Sequence, residues 1–105
     1  MILEVAQIRI NAAQAAAFEA AYRQAQQQLS TAEGYIAHEL RRCLEQPDLY
    51  LLLVHWRRLE DHTVGFRGSP QFQEWRRLIG SFFDGPPSVV HYQSLDDQAG
   101  AGASR

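Results

Sequence analysis

The chain has 105 residues, 46% apolar and 21% charged, with a formal net charge of −2 at pH 7. That balance describes one small globular domain with a single core. It excludes a disordered chain, a membrane span, which needs roughly 18 uninterrupted apolar residues, and a nucleic-acid surface, which needs concentrated Lys and Arg.

From the N-terminus, residues 2 to 10 (ILEVAQIRI) alternate as a strand, with Ile2, Ala6, Ile8 and Ile10 on one side and Leu3, Val5, Gln7 and Arg9 on the other. Glu4 is the awkward member of the first side. No basic region precedes this run, so it reads as a strand rather than a signal peptide. Asn11 suits the N-cap of a helix reaching about Leu29, in which Phe18, Ala21, Tyr22, Ala25 and Leu29 recur at helical spacing. Residues 35 to 44 (YIAHELRRCL) follow Gly34 as a second strand, and Glu45 to Asp48 make a turn. Residues 49 to 57 (LYLLLVHWR) form a third strand that is apolar on both sides.

A helical pattern from Leu59 to Phe66 breaks at Gly68 and resumes behind Ser69 and Pro70, a good N-cap and first helical residue. Its stripe is Phe72, Trp75, Leu78, Ile79 and Phe82. After Gly85, Pro86 and Pro87, SVVHYQSL is a last strand, and residues 96–105 (DDQAGAGASR) are expected to form a mobile tail. Cys43 is the single cysteine. It allows no intrachain disulfide and points to a reducing, cytoplasmic setting.

Strand, helix, two strands, helices, strand is an α+β arrangement, the ferredoxin-like βαββαβ fold with a four-stranded antiparallel sheet. Helices cover one sheet face. A third strand apolar on both sides demands a cover for the other, and a second copy of the sheet, in a two-fold homodimer, is the simplest one.

The strand ending in Trp56, the helix entry LEDHTVGFRGSPQFQEW and the closing VVHY together resemble the antibiotic biosynthesis monooxygenase domain family, over residues 1 to 95. The resemblance implies a dimeric α/β barrel with a reactive pocket between helices and sheet. In members that degrade haem, an Asn, a Trp and a His form the working set. This sequence places Ile8, Phe66 and Arg76 there, which removes the proximal iron ligand. In members that oxidise polyketides, a strand Trp, a helix Tyr and a distal Arg are associated with the pocket. Trp56, His62 and Arg76 fall near those places.

The resemblance thus implies a cofactor-independent monooxygenase acting with dioxygen on a small aromatic, quinol-like or polyketide-like compound, without metal or organic cofactor. Such chemistry needs a base, an anion-holding group and a dry pocket. His62, Trp56 and Arg76 are the catalytic candidates, and Gln7, Trp56, Phe66 and Phe72 the substrate-binding ones. Each has a plainer reading: His62 and Arg76 as solvent-facing helix residues, Gln7 as a sheet residue, and Trp56, Phe66 and Phe72 as core.

A symmetric turn would set His38 opposite His55, with His91 on the last strand, but no carboxylate shares their face at ligand spacing, so no metal site is expected. Cys43 reads as an inert small residue. A non-oxidative cyclase or isomerase, and a non-catalytic binding or stress-related barrel, are the alternatives.

Overall fold

The computed structural model describes residues 1–96; all but the first residue of the expected tail lies outside them. β1 (Ile2–Arg9) leads through a short 3-10 turn (Ala12–Gln14) into α1 (Ala15–Ser30), followed by β2 (Tyr35–Arg42) and β3 (Leu49–Trp56). A π-helical segment (Asp61–Phe66), α2 (Pro70–Ile79), a 3-10 turn (Gly80–Phe82) and β4 (Ser88–Gln93) complete the order. The strands lie β2-β3-β1-β4, all antiparallel, in an open sheet. This is the expected ferredoxin-like architecture.

Local chemistry explains the boundaries. Asn11 Oδ1 accepts from the Ala13 amide at 3.0 Å, so it caps the 3-10 turn that opens the helix rather than α1 itself. Ser69 caps α2 by accepting from the Phe72 amide at 3.2 Å, with Pro70 in the first turn.

One sheet face carries Ala6, Ile8, Tyr50, Leu52, Val54 and Trp56 into a core closed by Phe18, Ala25 and Leu29 of α1 and Trp75 and Ile79 of α2. Each large side chain taken fully out of water there contributes roughly 1.5–3 kcal/mol. Glu4 shares this face and is buried with the core. The opposite face, with Leu3, Val5, Leu51, Leu53, Val90 and Tyr92, has no helix over it; Val90 is 47% and Tyr92 58% exposed.

The hairpin between β2 and β3 corrects one expectation. Arg42 pairs with Tyr50 and His38 with Val54, so His38 does not oppose His55. The shift by one residue puts the two histidines on opposite faces. His38 turns toward α1, between Tyr35 Oη and Gln26 Oε1, the latter at 2.9 Å, while His55 sits beside Leu3 across β1.

Gly34 holds the turn before β2 at a φ of +84°, and a Cβ there would lie 2.1 Å from Asp61 Oδ2. The buried Asp61 carboxylate accepts from the Arg58 amide at 3.1 Å, fixing the entry to the π-helical segment. Gly34→Ala should therefore cost roughly 3 kcal/mol, strained backbone and displaced Asp61 together. Urea denaturation measures it. A loss under about 1 kcal/mol, within the range of ordinary substitutions, would show that Asp61 can move aside.

Candidate active site

The π-helical segment carries the site. Its wider turn closes with the Arg67 amide donating to the His62 carbonyl, five residues back, at 3.2 Å. Both His62 and Phe66 point inward as a result and are 4% exposed. The solvent-facing alternative for His62 is excluded by this burial.

Trp56, 0% exposed, stacks on the His62 imidazole with ring centroids 5.5 Å apart and planes 18° from parallel. Its indole Nε1 donates to Glu4 Oε1 at 3.0 Å. The same carboxyl oxygen lies 3.4 Å from His62 Nε2. On the other side of the ring, His62 Nδ1 and His91 Nε2 share a proton at 2.8 Å. Glu4 and His91 are directly paired across β1 and β4, which fixes both flanks of His62 in one rigid sheet.

Electrostatics keep the His62 ring uncharged, so it does not form an ion pair with Glu4. Burial pushes the Glu4 carboxyl up, against the opposing influence of the Trp56 hydrogen bond and the Arg67 charge. Burial, reinforced by Arg67 and His91, lowers His62 to about 4. His91 is lowered too, by burial and then by Arg67. At neutral pH His62 is an uncharged imidazole, next to a carboxyl whose ionisation burial disfavours. A neutral imidazole in contact with a carboxyl group can take a proton from one atom of a bound molecule and return it to another.

These groups border a cavity of about 960 Å³ between the sheet and α2, at the upper end of the range for small-molecule sites. Glu4 and His62 lie on its sheet side, Phe66, Phe72 and Trp75 give an aromatic wall, and Arg67 and Arg76 also border it. The Arg76 guanidinium lies 5.8 Å from the Phe72 ring centroid.

Of the residues expected in the site, His62, Arg76, Phe66 and Phe72 thus border one cavity. Trp56 does not: it is sealed one layer behind, where it orients His62 and Glu4 instead of meeting a ligand. Gln7 does not either, since the pleat turns it to the opposite sheet face, exposed, between Leu51 and Ser88.

Glu4, His91 and Arg67 were not among the expected residues. For Glu4 the signal was present, because a carboxylate on an apolar strand face needs a buried partner. For His91 it lay in the cross-strand pairing, which a single strand does not reveal. Among the described residues no group of three His, Cys, Asp or Glu side chains is placed to hold a metal ion.

Comparison with known proteins agrees with this architecture. A family model described as antibiotic biosynthesis monooxygenase matches residues 1–78. The uncharacterized protein YczJ of Bacillus subtilis is 45% identical over 95 residues, 90% of this chain and 100% of that protein. A crystal structure of a protein of the antibiotic biosynthesis monooxygenase type from Bordetella bronchiseptica superposes with a TM-score of 0.86 at 40% identity, covering 90% of this chain and 96% of that one. SnoaB, a cofactor-independent oxygenase from Streptomyces nogalater, shares the fold at a TM-score of 0.75 and 14% identity, covering 90% and 92%. The chain belongs to the antibiotic biosynthesis monooxygenase family.

Proposed function

We propose that the protein is a cofactor-independent monooxygenase that oxidises a small aromatic or quinol-like compound with dioxygen. The observation that carries this reading is the buried, neutral His62 held between Glu4 and His91 on an aromatic-lined cavity. His62 removes a proton from an acidified methylene or a ring hydroxyl of the substrate. The resulting anion gives one electron to dioxygen, and the radical pair combines to a peroxide. Protonated by the imidazolium, the peroxide becomes a hydroperoxide.

Removal of the second hydrogen as a proton, with cleavage of the O–O bond, leaves a carbonyl and water. One oxygen atom enters the product, the other leaves as water, and the substrate supplies every electron. Within this scheme Glu4 and His91 pass protons to and from His62, Trp56 keeps the ring in place, and Phe66 and Phe72 flank the substrate ring.

Dioxygen consumption with a panel of hydroxyanthrones and hydroquinones tests the proposal. One dioxygen consumed per substrate, without added metal, flavin or haem, is expected. Turnover that proceeds equally under anaerobic conditions would instead mean a non-oxidative cyclase or isomerase, which the Glu4 and His62 acid/base pair would also serve.

The same reading includes a homodimer formed through the uncovered sheet face. Leu3, Val5, Leu51 and Leu53, with Val90 and Tyr92 beside them, make a contiguous apolar surface of the kind that association buries. Light scattering should give twice 11.9 kDa, and Leu53→Glu should shift the mass to that of one chain. A wild-type monomer at micromolar concentration would contradict it.

A further inference from the structure

We propose that the cavity is built for an aromatic carboxylate, with the acid group clamped between Arg67 and Arg76 and the reacting ring turned toward Glu4 and His62. The inference rests on the function proposed above for the reacting end alone. Its own support is the charge pattern of the lining. Three arginines, Arg67, Arg76 and Arg77, border the cavity, and Glu4 is the one acidic residue among its lining residues.

Three guanidiniums against one carboxyl make the lining cationic although the chain as a whole carries −2. Arg77 is engaged by Glu74. Among the described residues, neither Arg67 nor Arg76 has an ion-pair partner. They come from different elements, Arg67 from the end of the π-helical segment and Arg76 from the middle of α2. Both are exposed, and two guanidiniums bordering one aromatic cavity without an ion-pair partner suit a ligand that brings a carboxylate.

Position adds a constraint. The Arg76 guanidinium lies over the Phe72 ring, so its charge adjoins the aromatic wall against which a ligand ring would stack. A cavity of about 960 Å³ has room for two or three fused rings. A carboxylate also raises the local concentration of substrate through the cationic entrance, an effect that salt weakens.

Binding without turnover tests this, with 6-hydroxy-2-naphthoate and its methyl ester as probes, followed anaerobically by quenching of tryptophan fluorescence. The acid should bind at least tenfold more tightly than the ester at low salt. In an Arg67→Gln, Arg76→Gln double variant the preference should fall below threefold while ester affinity stays the same, which also reports an intact cavity. Arg67→Lys should retain part of the preference.

Equal binding of acid and ester, a preference that survives the double variant, or no binding of either compound would overturn the proposal. Because no oxygen is consumed, an acid preference in a protein that fails to oxygenate anything would sink the monooxygenase reading and leave this one standing. The reverse pattern would do the opposite.

Discussion

Replacing His62 by glutamine should lower turnover by roughly 10²–10⁴-fold, the usual contribution of a positioned general base, while the fold is kept. Glutamine is close in size and can still meet Glu4 and His91, but it has no titrating lone pair. A second consequence separates the chemistry from packing. His62 has an ordinary pKa of 6.5 and is lowered to about 4 in the fold, so below pH 6.5 the unfolded chain takes up a proton that the folded chain refuses.

Stability contributed by the neutral ring is therefore complete above pH 6.5, is lost as the pH falls toward 4, and amounts to roughly 3 kcal/mol between the limits. Glu4 works in the other direction. Its raised pKa favours folding at low pH, and that contribution is lost as pH rises from 4.5 through the folded value. Urea denaturation at pH 7 and pH 4.5 should show a smaller acid loss in His62→Gln than in the wild type. An unchanged pH dependence would mean that His62 is not the buried neutral group.

Trp56→Ala should be the most destabilising single substitution in the site. It removes a fully buried indole, for which roughly 3–5 kcal/mol is typical, and strips Glu4 Oε1 of the indole hydrogen bond. Against a total stability of about 5–15 kcal/mol for a domain, the variant should be marginally folded at best. Trp56→Phe discriminates the two roles. It keeps a ring against His62 but not the N–H, so it should cost roughly 1–3 kcal/mol and push the Glu4 carboxyl higher still, since the indole hydrogen bond opposes its rise. Thermal unfolding of both variants measures the difference; no loss in Trp56→Phe would mean that the hydrogen bond contributes nothing, and equal losses that the ring adds nothing beyond it.

How much of this was legible beforehand follows from what each feature depends on. Strand alternation and helical stripes depend on neighbours along the chain, so β1, β3 and α2 and the two-sided apolarity of β3 are visible in the sequence. The pairing of His62 with His91 depends on strand order and register across the sheet. Periodicity carries neither. Register was the weakest point: the composition of Glu45 to Asp48 announces a turn but not its geometry, and one residue of slip moved His38 away from His55.

Gln7 and Trp56 show a different limit. The parity of β1 already grouped Gln7 with Leu3 and Val5, away from the helices, so a role in a helix-side cavity contradicted the strand pattern itself. Trp56 shares the cavity's side of the sheet, yet Tyr35, His62 and Phe66 enclose it. Which of two inward residues meets the cavity and which lies behind is decided by packing in three dimensions. The extra residue in the π-helical turn, which brings both His62 and Phe66 inward, likewise has no composition signature.

The account depends above all on His62 being a buried, uncharged base. Nitrogen-15 NMR of histidine-labelled protein measures this without any substrate, by following the His62 ring nitrogens from pH 8 to pH 3.5, with His62→Gln giving the assignment. The expected result is a neutral imidazole through pH 5, with a midpoint near 4. A midpoint at the ordinary 6.5, or a ring already charged at neutral pH, would contradict it.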